Sequence, residues 1–123
     1  MYVQSWSRMT DAVGLARKIA QIALDARATN IVVLDIANLS TIADVFVICS
    51  VDNVRQLGAL FNTLVGKLRE DGIGQKRGEG VAEAGWILLD YGDVIVHLFT
   101  ETQRAFYQID GLWGDAPRLL VIQ

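Results

Sequence analysis

The segment from Gly85 to Phe99 constrains the fold of this chain more strongly than any other stretch. Two apolar runs flank the dipeptide Tyr91-Gly92, and an aspartate lies on each side of that dipeptide. The pattern is typical of a β-hairpin with a two-residue loop, because glycine tolerates the positive φ that such loops require. With Tyr91 and Gly92 as the loop, the predicted cross-strand pairs are Asp90 with Asp93, Leu88 with Ile95, and Trp86 with His97.

Alternation of side chains gives the predicted hairpin two different faces, since directly paired residues share a face. One face is purely aliphatic and is predicted to be core: Ile87, Leu89, Val94, Val96 and Leu98. The other face mixes aromatic, apolar and acidic residues and holds the only histidine of the chain: Trp86, Leu88, Asp90, Asp93, Ile95, His97 and Phe99. We interpret this mixed face as a recognition surface.

The rest of the chain predicts helices and strands that surround this hairpin. Amphipathic helices are predicted over residues 10–28 and 53–71, and a capping box at Thr100 and Gln103 predicts another that ends near Gly111. Short β-branched segments at 31–36 and 44–50 predict strands covered on both faces. The glycine-rich stretch 72–85 is interpreted as a mobile connector in preference to a phosphate-binding loop. The order α-β-β-α-β-β-α predicts an α/β fold with a small mixed β-sheet packed by helices.

A single domain over residues 1–123 is predicted, since the sequence shows no linker and no internal repeat. Residues 1–9 are interpreted as a flexible arm, 10–116 as the core, and 117–123 as a tail or edge strand. The net charge of −3 lacks the basic excess of nucleic-acid-binding proteins, so little direct nucleic-acid binding is expected. No apolar run approaches the ~20 residues that span a bilayer, so no membrane association is expected.

Catalytic chemistry has few candidates in this sequence. Asp90 and Asp93 could chelate Mg²⁺ or act as acid and base, but aspartate is also favoured beside tight turns for its local hydrogen bonds. His97 has no second histidine for a zinc site. Cys49 is interpreted as a small buried hydrophobe, and a single cysteine is consistent with a reducing compartment such as the cytoplasm. We therefore predict a binding protein rather than an enzyme, with no catalytic, cofactor-binding or metal-binding residues.

Several motifs occur in one order over about residues 15–116. The most specific are Gly85-Trp86-x-Leu88-Leu89-Asp90-x-Gly92-Asp93-Val94-x-Val96-His97 and Leu112-Trp113-x-Asp115. The others are Asp44-x-Phe46-Val47-Ile48, Arg55-Gln56, Glu79-Gly80 and Arg104-x-Phe106-Tyr107. Together they resemble the ribosomal silencing factor family, also called Iojap-like proteins. The chain departs from that family at Val51 and Asn53, where glycine and serine are usual, and at 75–78, where a proline is common.

The resemblance implies a nucleotidyltransferase-like fold without the catalytic motif. The expected location, given the single cysteine, is a bacterial-type cytoplasm in preference to an organelle. The resemblance also implies a translational repressor that binds the large ribosomal subunit through ribosomal protein fourteen and sterically blocks joining of the small subunit. In organellar relatives it implies a role in large-subunit assembly. Physical reasoning adds Trp86 and Leu88 as the expected anchors of this interface, with Asp90 and Asp93 facing a basic partner. Tyr107, Leu112 and Trp113 are expected to extend the patch, whereas Phe106 is predicted to be core.

Two alternatives stay open at this point. A divergent Mg-dependent nucleotidyltransferase-like enzyme would use Asp90 and Asp93, and calorimetry with nucleotide or Mg²⁺ would detect it. A homodimeric interaction module would pair the mixed face with itself, and mass measured across a dilution series would detect that.

Overall fold

The computed structural model describes the backbone of residues 2–123 and the side chains of residues 11–123. The described helices are α1 (Tyr2–Asp25), α2 (Val54–Glu70), α3 (Glu101–Tyr107) and α4 (Ile109–Leu112), with a 3₁₀ helix over Ala82–Ala84. The described strands are β1 (Thr29–Asp35), β2 (Val45–Val51), β3 (Arg77–Glu79), β4 (Trp86–Asp90), β5 (Val94–Thr100) and β6 (Arg118–Ile122). The predicted succession of elements is present, with β3, the 3₁₀ helix and α4 added to it, and β6 lies in the segment 117–123 that is predicted as a tail or edge strand.

The described strands form one mixed sheet in the order β3-β4-β5-β2-β1-β6. β2 and β5 pair in parallel at its centre, from Val45 opposite Val94 to Val51 opposite Thr100. The other pairings are antiparallel. Every residue of the two central strands is buried, which accounts for their near-continuous apolar sequences. The predicted fold class, a small mixed sheet packed by helices, is confirmed.

Helices α1 and α2 cover one face of the sheet and close the main hydrophobic core. The aliphatic face of the hairpin belongs to this core, together with buried leucines of α2 such as Leu57 and Leu64. α2 begins where the side chain of Asn53 accepts a hydrogen bond from the backbone N–H of Gln56 at 2.9 Å. Val51 is also buried in this core, so the departures from the family pattern at Val51 and Asn53 each have a role in folding.

A smaller apolar cluster lies on the opposite face of the sheet. Its buried members come from β1, β2, the connection between them, β5, and the segment after α3: Leu34, Ile36, Ala43, Phe46, Ile48, Ile95, Phe99, Ile109 and Ala116. Val32, Trp86, Leu88 and Trp113 pack against it while half-buried. The mixed face of the hairpin is thus part core and part surface.

Several predicted boundaries need correction. α1 starts at Tyr2 rather than near Thr10, so the backbone of the segment predicted as a flexible arm is helical. Met1 and the side chains of residues 1–10 lie outside the described part of the chain. Residues 2–9 contain no glycine or proline, so nothing in the backbone stops the helix from extending that way.

Strands β3 and β6 form the two edges of the sheet. The predicted mobile connector contains the edge strand β3, which pairs with β4 from Arg77 opposite Asp90 to Glu79 opposite Leu88. The C-terminal segment is an edge strand rather than a tail, since β6 pairs with β1. Both strands gain their order from a neighbouring strand, so local sequence misses β3 and leaves β6 undecided between an edge strand and a tail.

The predicted hairpin is present, but its register differs by two residues. Its loop consists of Gly92 and Asp93, so Trp86 lies opposite Phe99 and Leu88 lies opposite His97. A two-residue loop needs a positive φ at its first position, which Gly92 adopts (91°) and which would strain Tyr91. Because side chains alternate with a period of two, this slip leaves both faces with their predicted residues.

Candidate docking surface

Trp86 lies in the middle of an aromatic cluster on the mixed face. Its ring stacks on Phe99 with centroids 5.0 Å apart, and its centroid lies 4.6 Å from that of Tyr107. Phe99 is fully buried, Trp86 is half-buried and Tyr107 is exposed. The cluster therefore runs from the core to the surface and holds Trp86 in place with part of its ring accessible.

His97 orients Trp86 through a hydrogen bond. The indole Nε1–H of Trp86 donates to Nδ1 of His97 at 3.3 Å. Because the indole nitrogen only donates, Nδ1 must be unprotonated, and the neutral ring carries its proton on Nε2. Burial lowers the pKa of His97 to about 4, so this neutral form persists at pH 7. His97 thus contacts Trp86 as expected, although from a diagonal rather than an opposite position.

We expect His97 to make stability depend on pH. The pKa of this ring is about 4 in the folded chain and about 6.5 in an unfolded one, so the unfolded state binds the proton more readily between these values. The free energy of unfolding should therefore fall as the pH decreases from about 6.5, by at most ~1.4 kcal/mol per pH unit. Urea denaturation between pH 6.5 and 5 should show this slope in the wild type and a flatter one in His97→Gln. Equal slopes would contradict the assignment.

Two clefts share Trp86 and Leu88 as walls. The first, of about 270 Å³, is also lined by Glu79, Gly80, Ala84 and Tyr107. The second, of about 280 Å³, is lined on its other sides by residues that include Ile42, Phe46, Arg77, His97, Leu112 and Trp113. We call the accessible part of this region the docking surface, formed by Ile42, Arg77, Glu79, Trp86, Leu88, Tyr107, Leu112 and Trp113.

The outer wall of the docking surface is a sharp corner between α3 and α4. Gln108 adopts the left-handed conformation (φ 52°, ψ 41°) and separates the two helices. Beyond it, Ile109 is buried, the ring of Trp113 packs edge-on against Phe46 at 5.0 Å, and Leu112 is left 77% exposed. The corner therefore presents Leu112 to solvent while Trp113 closes the second cleft.

The prediction that Phe106 is core is wrong, since this side chain is 74% exposed. Arg104 and the ring of Tyr107 occupy the side of α3 that faces the sheet. Phe106 points away from that side, and the break at Gln108 gives the buried position to Ile109. Phe106 meets Tyr107 in an edge-to-face contact at 5.1 Å and adds to the exposed aromatic surface.

Arg104 fixes this corner to the sheet. Its Nε and Nη2 donate to the two carboxylate oxygens of Asp110 at 3.0 and 2.9 Å, and its Nη1 donates to Ser50 Oγ and to the carbonyl oxygen of Asn30. The Arg104 side chain is 11% exposed, and its hydrogen bonds hold the pKa of Asp110 below the usual value. A bidentate pair of this kind is directional, so it stabilises the left-handed turn at Gln108 that lies between its partners.

Asp90 and Asp93 take different positions near the loop of the hairpin. The Asp90 carboxylate accepts a hydrogen bond from the N–H of Gly92 at 2.8 Å and lies 4.0 Å from Arg77. Asp93 is exposed, and its carbonyl oxygen accepts from the N–H groups of Asp44 and Val45. Within the described side chains, no group of three or more histidine, cysteine or acidic residues is placed to hold a metal ion. Asp90 thus has the turn-stabilising role that aspartate often takes beside tight loops.

Cys49 has the environment of a structural residue. It is completely buried in the main core, and burial raises the pKa of its thiol to about 12. A reactive thiolate needs the opposite shift.

Five of the predicted surface residues come together on the docking surface: Trp86, Leu88, Tyr107, Leu112 and Trp113. Asp90 and Asp93 lie beside it, at the loop end of the hairpin. Sequence reasoning missed Ile42, which is 67% exposed at the edge of the second cleft, and also Arg77 and Glu79. The pairing of β3 with β4 brings Arg77 and Glu79 to this surface. A strand of three residues that contains glycine has no recognisable sequence pattern, so this pairing could not be predicted.

Two solved structures share this fold. A crystal structure of a protein from Chromobacterium violaceum is 31% identical, with a TM-score of 0.74 and 86% of each chain covered. A crystal structure from Bacillus halodurans is 33% identical, with a TM-score of 0.72 and coverage of 90% of this chain and 98% of that one. The chain is therefore an α/β protein of the same fold as these two.

Sequence comparison identifies the family. The family described as "Ribosomal silencing factor during starvation" matches residues 9–122. "Ribosomal silencing factor RsfS" of Bacillus subtilis is 43% identical over 101 residues, which cover 81% of this chain and 86% of that protein. "Protein Iojap, chloroplastic" of Arabidopsis thaliana is 30% identical over 109 residues, 89% of this chain and 45% of that protein. The chain belongs to the ribosomal silencing factor family, whose name describes regulation rather than catalysis. Among the described helices, none has the length and apolarity needed to cross a membrane.

Proposed function

We propose that this protein represses translation by binding the large ribosomal subunit through ribosomal protein fourteen, where it sterically blocks joining of the small subunit. Membership of the ribosomal silencing factor family supports a role at the ribosome. The observation that carries the proposal is the position of Trp86, held by His97 and Phe99 between two clefts. Large aromatic residues in such settings dominate the binding energy of many protein interfaces.

The surroundings of Trp86 fit a protein partner. Ile42, Leu112 and Phe106 are large apolar side chains that remain mostly exposed, and contiguous apolar exposure of this kind marks interaction sites. The net charge of −3 disfavours direct contact with the RNA backbone and favours a basic ribosomal protein.

Co-sedimentation with isolated large subunits, followed by a subunit-joining assay, tests the proposal. We expect the protein to sediment with large subunits and to reduce the yield of joined ribosomes. Leu24→Ala is the control for substitutions in the docking surface and should behave as the wild type does. Leu24 is an exposed apolar residue on α1, which covers the other face of the sheet. Binding to small subunits alone, or joining at the normal rate with the protein bound, would refute the function.

Asp93→Asn is expected to slow association with the large subunit without weakening the fold. The Asp93 side chain is exposed, and exposed charges at the edge of an interface mainly steer encounter. We expect a ~2-fold lower association rate at low salt and a weaker dependence of that rate on salt. Stopped-flow measurements at several salt concentrations provide the test, with Asp11→Asn on α1 as the control. Unchanged rates would remove Asp93 from the interface.

A further inference from the structure

Glu79 lies on the docking surface because of the pairing of β3 with β4. It is directly opposite Leu88, and directly opposite residues of antiparallel strands share a face. Its carboxylate therefore stands on the same side of the sheet as Trp86 and Leu88. All three residues line the first cleft, which we call the Glu79 cleft.

The Glu79 cleft has aromatic and aliphatic walls, and small residues line the rest of it. Trp86 and Tyr107 contribute two rings with centroids 4.6 Å apart, and Leu88 adds an aliphatic wall. Gly80 and Ala84 complete the lining and leave a volume of about 270 Å³. This space accommodates a long side chain that lies against the rings.

The carboxylate of Glu79 is only loosely paired within the protein. Among the described side chains, its ion-pair contact is with Arg77, whose Nε lies 3.8 Å away, and both side chains are more than half exposed. That distance exceeds a hydrogen bond, and exposed pairs of this kind contribute little to stability. The carboxylate is therefore available to an incoming cation at small cost to the fold.

We propose that the Glu79 cleft receives a cationic side chain, arginine or lysine, from the basic partner. The stem of that side chain lies along Leu88 and the rings of Trp86 and Tyr107, and its charged end pairs with the Glu79 carboxylate. A cation over an aromatic face is attracted by the ring quadrupole, and a nearby carboxylate adds to the attraction. The identity of the partner rests on the function proposed above, whereas the selectivity of the cleft for a cation does not.

Binding of Glu79→Gln to isolated large subunits tests the proposal in the presence of the partner. We expect a roughly 5-fold loss of affinity and a shallower dependence of affinity on salt, because one partly desolvated ion pair is lost. Glu83→Gln is the matched control, since Glu83 is an exposed glutamate of the neighbouring 3₁₀ helix that does not line the cleft. Wild-type affinity in Glu79→Gln, or an equal loss in both variants, would overturn the proposal.

A second experiment separates this proposal from the proposed function. The isolated protein is titrated with N-acetylarginine amide, N-acetyllysine amide and the neutral N-acetylcitrulline amide while the indole N–H signals of the tryptophans are followed by NMR. We expect the Trp86 signal to shift with one or both cationic amides, to stay in place with citrulline, and to respond weakly in Glu79→Gln. Equal shifts with citrulline, or no shift with either cation, would overturn the proposal even if the protein binds ribosomes. Absence of ribosome binding with a selective Trp86 shift would refute the function and leave the cleft assignment standing.

Discussion

Replacement of Trp86 by alanine is expected to weaken binding to the large ribosomal subunit by about 30-fold or more, equivalent to ~2 kcal/mol. The indole separates the two clefts of the docking surface and is already held in one orientation by His97 and Phe99. A preordered aromatic residue loses little conformational entropy on binding, so most of its contact energy contributes to affinity. Quantitative sedimentation at several protein concentrations measures the change.

Two further variants make the Trp86→Ala result specific. Trp86→Phe keeps an aromatic ring but removes the hydrogen bond to His97, so it should lose less affinity than alanine. Leu24→Ala, on the helical face of the sheet, should bind as the wild type does. Circular dichroism and thermal unfolding establish that each variant is folded. A folded Trp86→Ala protein with wild-type affinity would exclude Trp86 from the interface.

Gly80→Ala is expected to lower the free energy of unfolding by ~2 kcal/mol or more. Gly80 has φ of 87°, a conformation that an L-residue with a Cβ adopts only with strain. A Cβ at this position would also lie 2.2 Å from the backbone carbonyl oxygen of Trp86, so the first residue of β4 would have to move. The substitution should therefore reduce both stability, measured by urea denaturation, and affinity for large subunits.

Gly74→Ala is the matched control for that substitution. Gly74 lies in the same glycine-rich stretch, but a Cβ there meets nothing within 4 Å and its φ is not positive. Alanine at such a position restricts the unfolded chain without straining the folded one, so stability should stay the same or increase slightly. Equal destabilisation by both substitutions would contradict the explanation of the Gly80→Ala effect by the positive φ of Gly80 and its close approach to Trp86.

The faces of the hairpin were predictable from sequence, whereas its register was not. The face on which a side chain lies depends only on whether its position in the strand is odd or even. An error of two residues in the pairing register therefore leaves every side chain on its predicted face. The choice between Tyr91 and Gly92 as the first loop residue depends on a single backbone dihedral. For the same reason Trp86 and Leu88 lie on the predicted face of the hairpin although their cross-strand partners differ from the predicted ones.

The parts of the docking surface that sequence reasoning missed depend on tertiary contacts. β3 is three residues long and acquires its conformation from β4, so neither Arg77 nor Glu79 could be assigned to a face beforehand. Gln108 adopts a left-handed conformation that glutamine rarely takes, and Arg104 and Asp110 stabilise it from both sides. The sequence does not reveal this break, and it therefore predicts one helix to about Gly111 with Phe106 in the core.

The parallel pairing of β2 with β5 has a consequence for the order of folding. Phe46 and His97 lie about 50 residues apart in the chain, yet their rings meet at 4.7 Å beneath the second cleft. The β1–β2 pair and the β4–β5 hairpin involve shorter loops, so they should form earlier than the contact that joins them. Trp113, which packs on Phe46, adds a third segment from beyond β5 to this contact. The docking surface should therefore appear only after these three distant segments have come together, late in folding.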